Sequence, residues 1–370
     1  MKKLRAVLQR KDIVFSGKRY GIDALGAMAQ GLFCTLLVGT ILNTIGQQFA
    51  IGFLNEVIVT VGKGDGAVSY TIGGLASAMV GPGIAIAIGT ALHAPGLVLF
   101  SLIPVGFAAN AMGGAGGPLA VYFVAILACE CGKLVSKETK IDILVTPIIT
   151  ILAGIGFAAL VAAPIGTAAK AVGQAIMWAT DLQPFFMGII VSVLVGIALT
   201  LPISSAAICA SFGLVGLAGG AAVAGCCAQM VGFAVMSFRE NRWGGLVAQG
   251  VGTSMLQMPN IVKNPRIWIP PTLASAITGP LATCLFQLEM NDPGGGLASG
   301  MGTCGFVGQI GVYSGWANDI ATGAKAAITA TDWIALVLIC FVLPAILSWF
   351  FCLILRRWGW IKENDLKLDL

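Results

Sequence analysis

Charge is what this sequence has least of. Of its 370 residues, 10% are charged, and a single histidine, His93, stands beside four tyrosines. A soluble domain carries about 25% charged residues, so a soluble globular chain is excluded first. With one histidine, any Ser-His-Asp triad would have to use His93, and no G-x-S-x-G elbow is present. No G-K-[ST] sequence closes a glycine-rich loop, which excludes ATP hydrolysis by this chain. Cysteine is not scarce, but it is unpaired in pattern. Cys34, Cys209, Cys226, Cys227, Cys340 and Cys352 lie in apolar runs, where cysteine acts as a small hydrophobe. Cys129-Glu130-Cys131 has neither a second pair nor a nearby histidine. We therefore expect no metal, no cofactor and no catalytic residue. A cleavable leader is not expected either, because the first apolar run starts near Ala24, after a basic stretch, with no A-x-A site behind a short core.

What is present is apolar length. Hydrophobic residues make up 57% of the chain, glycine accounts for 50 positions, and the mean hydropathy is +0.92. A membrane helix needs about 20 mostly apolar residues, and small residues let such helices approach closely. The expected fold class is an all-α, polytopic transmembrane bundle of about 8–10 spans with broken or re-entrant helices. Its expected spans cover residues 24–46, 68–92, 96–112, 117–131, 141–163, 184–204, 208–238, 267–288 and 332–355. Lys and Arg gather before residue 20, at Lys133, Lys137 and Lys140, at Arg239 and Arg242, at Lys263 and Arg266, and after residue 355. These segments are expected to face the cytoplasm, with both termini there, in a bacterial plasma membrane. That parity requires an even number of crossings, and residues 306–328 are the candidate for the missing one. Residues 1–20 are expected to form a basic amphipathic segment on the bilayer, 21–355 the transmembrane domain and 356–370 a cytoplasmic tail. No nucleic-acid partner is expected, since each basic cluster adjoins an apolar span. A weak internal repeat also shows: Ile22-Asp23 and Ile141-Asp142 lie 119 residues apart, Ile45-Gly46 and Ile165-Gly166 120 apart.

Residues 250–316 are the least helix-like apolar stretch. Pro259, Pro265, Pro270, Pro271, Pro280 and Pro293 interrupt it, and Gly294, Gly295 and Gly296 loosen it. Irregular backbone at membrane depth is tolerated only where protein buries it or it lines a cavity. This makes the stretch the expected substrate-binding region, with Gln257 and Asn260 at the first break, Glu289, Asn291 and Asp292 at the second, and Gln309 beyond. Amides and carboxylates suit the paired hydroxyls of a sugar or polyol. Glu289 is the leading candidate, because an acid after an apolar run is costly unless it functions. The glycine-rich GGGLASGMG reads as a re-entrant hairpin. His93, Asn55 and Glu56 interrupt apolar sequence in the first half and complete the candidate set.

The segments GTSMLQMPNIVKNPRIWIPPTLASAITGP and GGGLASGMGTCGFVGQIG resemble the enzyme IIC proteins of the bacterial sugar phosphotransferase system. The branch is the type-2 IIC group that includes perfringolysin-regulator-like proteins. The resemblance runs over roughly residues 15–355. It implies a homodimeric permease that binds a sugar, moves it by alternating access and presents it to a separate phosphorylated IIB protein. The Glu-containing sugar motif of better-known IIC branches is not present in its usual form, and no IIA or IIB domain is fused in this sequence. Two further readings follow from the residues: a membrane sensor or regulator without flux, and a gradient-driven carrier of a non-sugar solute coupled through Glu289, Asp292 or His93.

Overall fold

A computed structural model describes residues 7–63, 66–291 and 295–368. The chain forms two compact units, Met1–Ala168 and Ala169–Leu370. Among the described residues five helical stretches are long and apolar enough to cross a membrane, and a bent pair makes a sixth.

Unit 1 is a series of antiparallel neighbours. Helix α1 (Arg19–Gln48) leads to a two-stranded hairpin, β1 (Val59–Val61) and β2 (Val68–Tyr70). Helices α2 (Ile72–Ala78) and α3 (Val80–Ala91) follow, bent by 53° at their junction. Thr71 starts α2 by accepting a hydrogen bond from the Gly74 amide, the usual way to satisfy an open helix end. Helices α4 (Gly96–Gly113) and α5 (Gly117–Val135) form one apolar stretch that doubles back on itself. Gly114 adopts φ +52°, and a Cβ at Gly132 would lie 2.9 Å from Val98, so the two arms run antiparallel. Helix α6 (Asp142–Thr180) has 39 residues and crosses from unit 1 into unit 2. Small residues set these contacts: Gly31 abuts Gly83, and Gly154 sits against Val105 and Ala128. Both halves of the apparent repeat, residues 22–46 and 141–166, fall in unit 1 on α1 and α6, so the repeat does not coincide with the division into units.

Unit 2 is built from α7 (Pro184–Thr200), α8 (Ser205–Ser211), α9 (Gly216–Met236), α10 (Phe238–Val247), α11 (Met258–Lys263), α12 (Ile269–Pro280), α13 (Val307–Thr322) and α14 (Ala330–Arg357). Gly196 packs on Gly225 and Thr200 reaches Gln229, so α7 and α9 run the same way. Ser275 bonds Gly225, and Gln229 bonds Thr272, so α12 runs against them. Parallel neighbours need a returning connection, and residues 201–215, with the short α8, provide it. The expected span 208–238 is therefore two elements, broken where Gly213 and Gly216 take positive φ.

The expected crossing at 306–328 is the second arm of a re-entrant hairpin. Residues 295–302 run inward beside α9 until Gly302 meets Cys226, and α13 then returns. A Cβ at Gly315 would lie 2.9 Å from the Asn291 backbone, so the hairpin leaves where it entered. The expected surface helix over residues 1–20 is interrupted: its described part is helical at residues 7–10, turns at Asp12, where φ is +52°, and is helical again from Gly17.

Each unit has a basic end. In unit 1, Arg10, Lys11, Arg19, Lys133 and Lys137 gather where α1 begins and α5 finishes. In unit 2, Arg239, Arg242, Arg356 and Lys367 gather where α9 and α14 finish, while Glu289, Asp319 and Asp332 lie at the opposite end.

Candidate functional site

Three breaks in regular structure meet inside unit 2. The first is the end of α7 at Thr200, followed by Ser204, which caps α8 by accepting from the Ala207 amide at 3.2 Å. The second follows α10. There residues Ala248–Gly252 widen into a π turn, Thr253 is extended, and Pro259 opens α11 at a position where no amide proton is needed. The third is the hairpin tip, Met301–Phe306, where Gly302, Gly305 and Phe306 all have positive φ. These breaks converge on Cys226–Met230 of α9. The Thr303 hydroxyl donates to Met230 Sδ at 3.5 Å, Ser205 Oγ donates to the Gly300 carbonyl at 2.8 Å, and Thr200 and Ser254 share a 2.8 Å hydroxyl pair.

Gln229 is the polar hub. Its Oε1 accepts from Trp268 Nε1 at 3.0 Å, and its Nε2 donates to Thr272 Oγ1 at 3.3 Å. Gln229, Thr200, Ser254 and Thr303 are completely buried. Burying amides and hydroxyls in an apolar bundle is costly unless each finds a partner, and here these do. Gln309 differs. Its Nε2 lies 3.2 Å from Cys227 Sγ, but its Oε1 is buried with no hydrogen-bond partner. An open acceptor of that kind favours a donor such as a solute hydroxyl. Amide, hydroxyl and indole groups can bind a neutral polyhydroxy solute, and none of these named groups except cysteine is ionisable.

The residues expected from sequence separate into distinct places. Gln309 lies in this core. Glu289 and Asn291 sit at the hairpin mouth, where Asn291 Nδ2 donates to Glu289 Oε2 at 3.2 Å and to Asp319 Oδ2 at 2.8 Å. Asp292 lies outside the described residues. Gln257 and Asn260 are buried, but they hold the C-terminal tail: Gln257 donates to the Leu366 carbonyl at 3.0 Å and Asn260 to the Lys367 carbonyl at 2.8 Å. Asn241 clasps the same tail through the Leu366 carbonyl and the Leu368 amide. Leu366 is wholly buried in consequence.

His93, Asn55 and Glu56 belong to unit 1, and His93 lies apart from the Asn55-Glu56 pair. His93 is exposed and lies 3.0 Å from Asp12, whose carboxyl is held well below the usual range by the Arg19 guanidinium and by the His93 bond. Arg19 also reaches the Leu92 carbonyl, which ties this group to the start of α1. Asn55 donates to the Gly46 carbonyl at 2.7 Å near the other end of α1, and the neighbouring Glu56 is exposed. Sequence reasoning missed Gln229 and Trp268. The available signal was a lone amide within the otherwise apolar α9, GLAGGAAVAGCCAQMVGFAVM.

The family model described as "Phosphotransferase system, EIIC" matches residues 22–368. The chain belongs to this family. No curated protein and no solved structure matches it. The apolar helices and the family together make the chain an integral membrane protein and a permease component of the phosphotransferase system. For an EIIC permease the arrangement in unit 2 is chemically apt. Broken helices bring backbone and amide groups to the interior of the bundle, as in other transport folds whose solute sites lie on discontinuous helices.

Proposed function

We propose that this EIIC permease carries a sugar through unit 2 by alternating access, with Gln309 contacting its hydroxyls inside and Glu289 and Asn291 guarding the hairpin mouth. The observation that carries this reading is the unpartnered, buried Gln309 Oε1 at the point where the broken elements meet. The sugar leaves for a separate IIB protein, which donates the phosphoryl group. The permease sits as a homodimer in the bacterial plasma membrane, with residues 1–20 and 356–370 as cytoplasmic flanks of a transport domain spanning 21–355. The excess of Lys and Arg at one end of each unit supports that orientation.

A ligand that binds only the folded state must raise apparent stability. Purified protein is therefore heated with a panel of sugars and polyols. At least one sugar is expected to raise the melting temperature, and the rise should vanish in Gln309→Leu while the variant stays folded. A panel with no stabilising sugar would overturn the sugar reading, and a hit that Gln309→Leu preserves would move the site elsewhere.

A further inference from the structure

Two hollows meet at the basic end of unit 2. One, of about 360 Å³, is apolar and lined by Val235, Phe238, Trp243, Leu246, Trp349 and Leu353. The other, of about 350 Å³, is polar and lined by Arg239, Arg242, Arg356 and Lys367 with Glu240 and Glu363. Arg239 and Arg356 line both, so the two form one continuous amphipathic surface.

The residues are built to hold this shape. Arg356 is fixed by Glu240 at 2.6 Å. Lys367 is brought in by the tail that Asn260 grips. Arg242 takes φ +52°, breaking α10 so that Trp243 stacks edge-on against Phe238 with ring centroids 5.3 Å apart. Trp243 and Trp349 remain 71% and 52% exposed, as aromatics do at the level of lipid head groups. Four cations face two carboxylates, so the polar hollow favours an anion. Glu240 adds one detail: its Oε2 is buried without a hydrogen-bond partner and can accept from a hydroxyl.

We propose that this surface binds one anionic phospholipid of the glycerol-headed class from the leaflet at the basic end. Arg239, Arg242 and Lys367 hold the phosphodiester, the head-group glycerol donates to Glu240, and an acyl chain lies along the apolar hollow. A free anion would leave the apolar hollow unused, and a zwitterionic lipid would set its cation among the arginines. Guanidinium groups suit a phosphodiester because their paired donors match its oxygens, and basic pockets beside membrane helices attract such head groups.

The experiment uses full-length protein in mild detergent with phosphatidylglycerol, phosphatidylcholine of the same chains, or soluble glycerol phosphate. Melting temperature and native mass spectra are read together. Phosphatidylglycerol is expected to raise the melting temperature and persist as a one-to-one adduct, while the other two do neither at equal concentration. Arg239→Gln with Arg242→Gln, both at exposed positions, should weaken that binding at least tenfold without lowering the melting temperature in plain detergent. Trp243→Ala should weaken it while leaving the preference between head groups. If the double variant does not fold, Lys367→Gln takes its place, with several-fold weakening expected. Equal effects of the two lipids, equal effects of glycerol phosphate, or unchanged binding in the charge variants would overturn the proposal.

Discussion

Two buried glutamines in unit 2 differ in whether their amides are satisfied. Gln229 uses both ends of its amide, on Trp268 and Thr272. Replacing it by Leu leaves the Trp268 N–H without its acceptor, at a cost of about 1–2 kcal/mol in a membrane bundle. Gln309 has one end open. Gln309→Leu removes an unsatisfied buried acceptor, so stability should hold or rise slightly while sugar uptake is lost. Thermal melts in detergent combined with uptake in vesicles would separate the two; equal melting losses in both variants would contradict this division. From sequence alone the two residues are not distinguishable, because an amide's partners come from other helices. Gln257 and Asn260 illustrate the same limit, since their place in a broken helix was legible but their bonds to Leu366 and Lys367 were not.

At the scale of elements, the re-entrant hairpin depends on a glycine that accepts a left-handed backbone in a crowded place. Gly302 has φ +55°, and a Cβ there would lie 2.6 Å from Cys226 Cβ. Gly302→Ala should cost about 1–3 kcal/mol from the backbone conformation alone and push the tip away from α9. We expect transport to fall at least tenfold while the protein still inserts and purifies. Uptake at wild-type rate with unchanged melting temperature would show that the tip does not need this conformation. The hairpin was readable in outline from GGGLASGMG, because glycine runs at membrane depth mark irregular backbone. Its partner arm, residues 306–328, is expected from sequence to cross but turns back. Residues 306–328 are apolar and helical enough to pass as a span, and only the contact between Gly315 and Asn291 reveals that the chain turns back. The expected span at 208–238 holds from Gly216 to Met236 but starts too early for a related reason: apolar sequence continues through Gly213 and Gly216 while the helix does not.

On the scale of the whole molecule, charge gives the strongest handle. In the proposed orientation, which puts each basic end in the cytoplasm, Lys137→Cys and Lys362→Cys should react with a membrane-impermeant maleimide only after permeabilisation. Lys63→Cys and Ala324→Cys, near the opposite ends, should react in intact cells. The exposed native Cys34 and Cys284 are first replaced by Ala. Labelling of Lys362→Cys in intact cells would reverse the orientation. By itself the sequence determined that this is a helical membrane protein, roughly where its helices lie, which stretch is broken and which family it resembles. Those properties follow from composition and local pattern: apolar length, proline and glycine at defined positions, and basic residues beside spans. The tertiary structure decided the rest. It decided that α7 and α9 run parallel, that the third break returns instead of crossing, that the candidate polar residues of unit 2 divide between core, mouth and tail, and that Gln229 ties Trp268 and Thr272 together in the buried core. Each of these depends on which residues meet across distances in sequence, and close approach of glycine-lined helices, not hydropathy, selects those meetings.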